Sequence, residues 1–517
     1  MRILHFVHGF PPEYTGGTEL YVARLAEAES ARGHEVAVVS GSGRSRARAE
    51  IVFTPGGPSG VGVHRLHRIE SVPEAWFRTY SPHAEGMISD LVEKLAPDVL
   101  HVHHWKRLTR NIVAIGLRHR VPSVVTLHDL FATCPKDFRL RDGRVCEEPL
   151  PNPLCPACIA PRSIAPAAHV AEELELFRAA LSREIALAAR VLAPSAAHAT
   201  RVSSLLGLKP RLVETLPLGA IREMEKAARA GAPRGLRPLR VVFFGHMDPV
   251  KGPHLLLDAM REVEARGASR LEAHLFGRPV TDEYGALLRA KSEGLPVTFH
   301  GAYSPPDLAP FRFDVAVIPS TAAESYSFVL DEAFALGLPV VVSDIGALAE
   351  RAGNAGRSFR AGDASDLASR LEEILSSPGE VEALRKAIPD RASPPMGEHA
   401  EALLDRYAAA LESAVPPRPA TPADFLPLLR QRVRDVEERR LDLVEAEARA
   451  EWLEKSKWSL ESYAVSLRAR SEESGKEREA LVAEIARLKD AIARLEASHA
   501  RKPSFARRIA GAIFPKA

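Results

Sequence analysis

Two glutamates eight residues apart, Glu324 and Glu332, bracket a polar loop and the start of a helical pattern in the stretch Val317-Ile-Pro-Ser-Thr-Ala-Ala-Glu-Ser-Tyr-Ser-Phe-Val-Leu-Asp-Glu332. The free amides of Ser327, Phe328 and Val329 are positioned to face an anion, helped by the helix dipole. Glu332, one turn in, can accept hydrogen bonds from hydroxyls of the same ligand. A phosphate on amides and a diol on a carboxylate describe a nucleotide. The bland reading is an acidic helix face beside an ordinary buried helix.

A second candidate lies upstream, in Gly245-His246-Met-Asp-Pro-Val-Lys251-Gly252. A lysine six residues past a strand-end glycine can reach back over the sheet edge to a phosphate, although in isolation Lys251 reads as a solvated loop lysine. Near the start of the chain Gly16-Gly17 lets the backbone approach a ligand closely ahead of a helix. Two histidine sites stand out: His101, His103 and His104 crowd one strand end, and His128-Asp129 ends the next. Alternation sends His101 and His103 to one face, and no carboxylate is near in sequence, so the trio reads as strand-end packing rather than metal.

All four cysteines, Cys134, Cys146, Cys155 and Cys158, fall in one Pro-rich segment ending Cys-Pro-Ala-Cys. Clustered thiols without an export signal suit a reduced compartment. Two readings stay open, a structural Zn²⁺ site and four unligated thiols closing a loop.

The paired-glutamate stretch resembles that of the retaining glycosyltransferases of family 4, which have the GT-B fold. Ser325 and Ser327 stand where that family usually has glycines. Several further motifs resemble the family in order: Gly-Gly-Thr-Glu with the later Arg32-Gly-His-Glu-Val, the run Thr126-Leu-His-Asp-Leu-Phe-Ala-Thr-Cys-Pro135, and Lys251-Gly252 ahead of Leu255-Leu-Leu-Asp-Ala. The likeness spans about residues 1 to 415. It implies that the Gly16-Gly17 loop comes near the donor phosphates, that His128 reaches the donor sugar, and that Lys251 binds the diphosphate. Glu324 would hold a sugar hydroxyl, Glu332 the ribose, and the loop at Gly301-Ala-Tyr303 the nucleobase. His246 takes the place of the family's arginine, keeping a hydrogen-bond donor but not a fixed charge or a two-pronged reach.

The implied reaction moves a sugar from a UDP- or GDP-sugar to a glycan or lipid-linked saccharide in cell-surface polysaccharide synthesis, with retention. Asp-x-Asp, the usual metal–diphosphate motif of the other main glycosyltransferase fold, does not occur, so no catalytic cofactor is expected. Two rivals remain: a non-catalytic sugar-nucleotide-binding scaffold and a GT-B epimerase.

Elements that could position these residues follow from periodicity. Ile3 to Val7, Glu35 to Ser40, Asp98 to His103, Ser123 to Leu127 and Val191 to Ala193 read as strands with helices between them, giving a Rossmann-like α/β domain over residues 1–206. A low-complexity linker covers 207–237, a second Rossmann-like domain 238–397, and a helix over 398–415 is expected to cross back to the first domain. A Pro-rich linker at 416–424 leads to heptad-spaced leucines such as Leu481, Leu488 and Leu495, read as a coiled coil over 425–500 that joins a second copy or a partner helix.

The totals agree with a soluble globular protein: 517 residues, 46% apolar and 26% charged, with net charge +2, which gives no case for nucleic acid. No apolar run approaches a membrane span and the opening is too short for a signal peptide, so a cytoplasmic protein is expected. The basic, apolar end at 501–517 reads first as frayed, with peripheral contact at an anionic membrane face as the alternative.

Overall fold

The structure is a computed structural model. It describes residues 1–413 except 45–48, 57–59, 68–81, 160–166, 210–211, 223–236, 268–269, 309–310 and 378, and beyond these a few helical residues between 454 and 494.

An eight-stranded sheet forms the first half. Its strands are β1 (Arg2–Val7), β2 (Glu35–Gly41), β3 (Glu50–Thr54), β4 (Gly62–His67), β5 (Val99–Val102) and β6 (Ser123–Thr126), followed after a small antiparallel ribbon of β7 (Leu140–Arg141) and β8 (Arg144–Val145) by β9 (Arg190–Ala193) and β10 (Val213–Thr215). The order is β10-β9-β6-β5-β1-β2-β4-β3, parallel throughout except for the β3–β4 edge hairpin. The second half is wholly parallel: β11 (Leu239–Phe244), β12 (Leu271–Phe276), β13 (Val297–Gly301), β14 (Val315–Ile318), β15 (Val340–Ser343) and β16 (Gly356–Phe359), in the order β13-β12-β11-β14-β15-β16. That 3-2-1-4-5-6 order is the doubly wound arrangement, with a crevice at the carboxyl ends of the strands on either side of the first one.

Both sheets are covered on two faces, which is why β14 and β15 read as unbroken Val/Ile/Ala runs. In the first half the helices are α1 (Gly17–Ser30), α2 (Pro82–Leu95), α3 (Ile112–Arg118), the one-turn α4 (Cys155–Cys158), α5 (Ala167–Leu187) and α6 (Ala196–Leu206). The second half adds α7 (Pro253–Ala265), α8 (Asp282–Ser292), α9 (Phe328–Ala335), α10 (Ala347–Ala352), α11 (Ala364–Ser376), α12 (Glu380–Lys386) and α13 (Met396–Glu412). Leu256, Leu257 and Met260 of α7 pack with Leu367 and Leu371 of α11 under one face of the second sheet, and Leu330, Ala333 and Phe334 of α9 under the other. Each of these leucine, methionine and phenylalanine side chains contributes about 1.5–3 kcal/mol on removal from water.

Helix α13 belongs by sequence to the second half and by packing to the first. Ala400, Leu403, Tyr407 and Ala410 join the cluster of Tyr21, Val22 and Leu25 from α1. Met1–Pro419 forms one compact unit and Ala420–Ala517 a second.

Two differences from the sequence reading have physical causes. Val213–Thr215, placed in the linker, extends the first sheet beside β9; three residues are too few to show a period. The β3–β4 hairpin was not anticipated because its strands are short, half-exposed and polar. The basic tail and nearly all of the expected coiled coil lie outside the described residues, although Leu460 and Leu488 are helical. Among the described residues no helix is long and apolar enough to cross a membrane.

Candidate functional site

The chain leaves β11 through Gly245 and His246, and Asp248 caps a short 3₁₀ turn by accepting from the Val250 amide at 2.8 Å. Gly252 ends that turn at φ +69°, and a Cβ there would lie 1.9 Å from the Pro319 carbonyl oxygen. The turn is therefore pressed onto the loop after β14, where Thr321 N donates to Val250 O at 2.8 Å and Ser320 Oγ to the same carbonyl at 3.1 Å. This docking brings Lys251 Nζ to 2.7 Å from Glu324 Oε1, which also accepts from Ser320 Oγ at 2.9 Å. With Lys251 a third exposed, the pair adds little to stability; its consequence is a fixed positive charge at the strand ends.

The loop from Glu324 to Ser327 carries backbone strain. Ser327 has φ +80°, a left-handed conformation that suits glycine, and it stands where the family resemblance places a glycine. Arg351 holds it: its guanidinium donates to the Tyr326, Ser327 and Ala392 carbonyls at 3.0 Å each, pairs with Asp331, and lies 3.6 Å over the Tyr326 ring. Ser325 ties the loop to the first half, donating its hydroxyl to the His128 carbonyl while its own carbonyl accepts from Ser195 Oγ at 2.8 Å. Of these bonds, the one from the Ser325 hydroxyl is the one a glycine could not make.

Helix α9 begins at Phe328, so the Phe328 and Val329 amides have no acceptor within the helix and the positive end of its dipole lies at the loop. Glu332 is buried one turn in and accepts from Arg222 Nη1 at 2.7 Å. Burial raises its pKa, opposed by Arg222, and burial with the nearby Glu332 raises that of Tyr303.

On the first half Gly16 precedes α1. A Cβ on it would stand 2.6 Å from the Glu19 carboxylate, and one on Gly17 would stand 3.2 Å from the Phe328 ring, so the two halves meet at this loop. His128 follows β6 and is buried. That burial, against the pull of Asp129, pushes its pKa down to about 3 and keeps the ring neutral. Burial pushes the Asp129 carboxyl up, but His104 at 3.2 Å and the Phe131 amide hold it well below the usual range.

These residues converge. Gly16, Gly17 and His128 from the first half, with His246, Lys251, Glu324, Ser327, Phe328, Val329 and Glu332 from the second, line one cavity of about 580 Å³. Of the non-cysteine positions expected to meet the donor, Gly301 is not in that lining; it ends β13 at φ +74°, while Ala302 and Tyr303 of the same loop do line the cavity. Among the lining residues not foreseen are Arg222, Arg278, Phe138 and Leu218. Arg278 follows the strand-end Gly277, whose Cβ would fall 1.8 Å from the Gly245 carbonyl oxygen, so its loop lies against that of His246. A second strand-end glycine followed by a basic residue was the available signal.

The cysteines surround a different and very small cavity, with Arg139 and Lys136. All four are free, and among the described residues no three of their sulfurs come close enough together to share an ion. As placed, they do not fit a closed Zn²⁺ site. What organises the loop is Arg139, fully buried, whose guanidinium donates to the carbonyls of Thr133, Cys146 and Glu148. Burial pushes the Cys134 thiol up to about 11.

The histidine trio is also more than strand-end packing. His101 and His103 do share a face, with ring centroids 3.9 Å apart, but they join His5 and the buried Glu29 in a hydrogen-bonded cluster. The carboxylate that sequence proximity did not supply comes from α1.

Comparison with known proteins fits this architecture. Residues 15–223 match the model described as Glycosyltransferase Family 4, and residues 238–377 the model described as Glycosyl transferases group 1. D-inositol 3-phosphate glycosyltransferase 1 of Catenulispora acidiphila is 29% identical over 336 residues, 61% of this chain and 73% of that protein. The Rhodococcus erythropolis protein named D-inositol 3-phosphate glycosyltransferase is 28% identical over 436 residues, 80% of this chain and 90% of its own. Among solved structures, sucrose-phosphate synthase from Thermosynechococcus elongatus superposes with TM-score 0.53 at 20% identity, covering 80% of this chain and 97% of that one. Anabaena HepE in complex with UDP gives TM-score 0.53 at 17% identity, covering 79% and 100%. Those two likenesses bear on the fold, which is GT-B. With one family model on each half and the paired-glutamate loop and Lys251 turn facing one cavity, the chain belongs to the group 1 glycosyltransferases of family 4.

Proposed function

We propose that this cavity transfers a sugar from a nucleoside diphosphate sugar to a hydroxyl of a saccharide acceptor, with retention of configuration. The observation that carries the reading is the convergence of Lys251, the α9 start and Glu332 on one cavity faced from the other half by His128. The Lys251 ammonium and the Phe328 and Val329 amides stabilise the charge that grows on the departing diphosphate, as preorganised dipoles do in a water-poor cleft. His246 donates a hydrogen bond beside them, and Arg278 on the adjoining loop supplies a guanidinium. Glu332 takes the ribose hydroxyls, Ala302 and Tyr303 border the base, and Glu324 and His128 hold hydroxyls of the donor sugar. The C1–O bond to phosphate breaks as the acceptor oxygen bonds C1, and the acceptor proton passes to the leaving phosphate oxygen. The Gly16-Gly17 loop and α1 close the phosphate side.

The donor class is supported by the likeness to HepE, solved with UDP and with UDP-glucose. On the acceptor side, Phe138 is exposed and lines the cavity, a flat apolar face on which a sugar ring can stack. We place the acceptor among glycans or lipid-linked saccharides of cell-surface polysaccharide synthesis. The relatives named for inositol 3-phosphate make a phosphorylated polyol the comparison acceptor. A donor screen tests the proposal: UDP- and GDP-sugars are supplied with and without each acceptor class, and free nucleoside diphosphate is measured. Acceptor-dependent release is expected. Nucleotide binding without release under every acceptor would return the protein to the scaffold reading.

A further inference from the structure

We propose that Glu29, buried and remote in sequence from His128, is a positioning residue that sets the proton tautomer of His128 through a hydrogen-bonded chain of two further histidines. The inference rests on the donor-sugar role given above to His128. The chain begins with Glu29 Oε2, 2.7 Å from His5 Nε2. His5 Nδ1 is 3.0 Å from His103 Nε2, and His103 Nδ1 is 3.0 Å from His128 Nε2. Glu29, His5 and His103 are fully buried or nearly so.

An ionised carboxylate only accepts, so His5 must carry its proton on Nε2. In a neutral ring Nδ1 is then a lone pair, which obliges His103 to donate from Nε2. The same step repeated puts the His128 proton on Nε2 and leaves Nδ1 bare. Among the described residues no protein group takes that Nδ1, and the side chain lines the cavity. His128 therefore meets the donor as an acceptor of a sugar hydroxyl's hydrogen bond.

The other oxygen of Glu29 anchors the direction. Tyr407 of α13 donates to Glu29 Oε1 at 3.0 Å, so its own oxygen must accept from His101 Nδ1 at 2.6 Å, and His101 Nε2 accepts from Thr126 Oγ1 at 2.8 Å. Burial holds the pKa values of His101 and His103 well below the usual value, which keeps these links neutral. The close approach of His5, His101 and His103 has the look of a metal cluster, yet every ring nitrogen of the three already has a protein partner.

The test reads tautomers directly, in the full chain without substrate, from the ring ¹⁵N shifts of ¹⁵N-histidine-labelled protein. His128 and His103 are expected as Nε2–H tautomers at neutral pH. Glu29→Gln is expected to invert the chain: the amide oxygen takes the Tyr407 proton, the amide NH₂ donates to His5 Nε2, and His128 is driven to Nδ1–H. A wild-type His128 found as Nδ1–H, or a His128 spectrum unmoved by Glu29→Gln, overturns the proposal. If Glu29→Gln does not fold, the wild-type tautomer together with His103→Phe, expected to release His128 to a tautomer mixture, decides it. In turnover, Glu29→Gln should lower kcat by roughly 10- to 100-fold, the scale of one lost hydrogen bond at a buried site, with a smaller change in donor KM. A protein that transferred no sugar would refute the enzymatic reading while leaving the tautomer result standing.

Discussion

The two halves that face the cavity are built on opposite principles. In the second half the site consists of backbone amides and loop side chains at adjacent strand ends, and the strained Ser327 is held by Arg351 only 24 residues away. In the first half the oriented side chain is His128, fixed from behind by bonds that span 24 to 378 residues of sequence. A helix start and a loop lysine can be written into a short motif, whereas a neutral buried imidazole must be assembled from several strands and a returning helix. The second half is thus suited to gripping a diphosphate, and the first to presenting one oriented group.

The largest effect that separates the halves is expected from Lys251→Ala. It removes the fixed charge beside the leaving group and leaves Glu324 without its cation, so kcat/KM should fall by about 10³-fold, the scale of about 4 kcal/mol of transition-state stabilisation. Nucleoside diphosphate release measures it, with Tm unchanged within a few degrees because the pair is partly exposed.

Arg139→Met is expected to act oppositely. It removes the buried guanidinium and leaves the carbonyls of Thr133, Cys146 and Glu148 without that donor, so stability should fall by about 3 kcal/mol while kcat of the folded fraction is kept. Denaturant unfolding and turnover of the same sample check both parts.

Acid sharpens the contrast further. His128, His198 and His399 are pushed by burial to about 3, 4 and 4, below the ordinary histidine value. A group whose folded pKa is depressed gives stability that is complete above its unfolded pKa and lost as pH falls toward the folded one. Stability should therefore decline from about pH 6.5 to pH 4, by up to about 1.4 kcal/mol per pH unit for each histidine. Because all three line or flank the first half, its hydrogen-exchange protection should fail before that of the second sheet.

The smallest effect is a gain. His246→Arg restores a guanidinium at the second half's exposed strand end, and donor KM should fall a few-fold, roughly 1 kcal/mol or less, with kcat nearly unchanged. Steady-state kinetics with the best donor would show it.

The same division explains what could be read from sequence. Strands such as Val315–Ile318 and Val340–Ser343 were legible because burial on both faces leaves an apolar run, and α9 because Leu330, Ala333 and Phe334 mark one face. The loop residues around Lys251 and Glu324 were legible because local spacing fixes where they emerge. Glu29, Tyr407 and Arg139 were not, since a polar residue on a helix or in a loop gives no sign of a partner that folding brings from far away. Arg222 escaped for the same reason: it lies next to a low-complexity segment, and only the fold sets it against Glu332.

The account rests on one nucleoside diphosphate being held between the α9 start, Lys251 and Glu332. Calorimetric titration of UDP and GDP into the wild-type protein, Lys251→Ala and Glu332→Ala tests this most directly. At least one nucleotide should bind the wild type, and each substitution should weaken it by roughly 10-fold or more. Wild-type affinity in either variant would contradict a shared site.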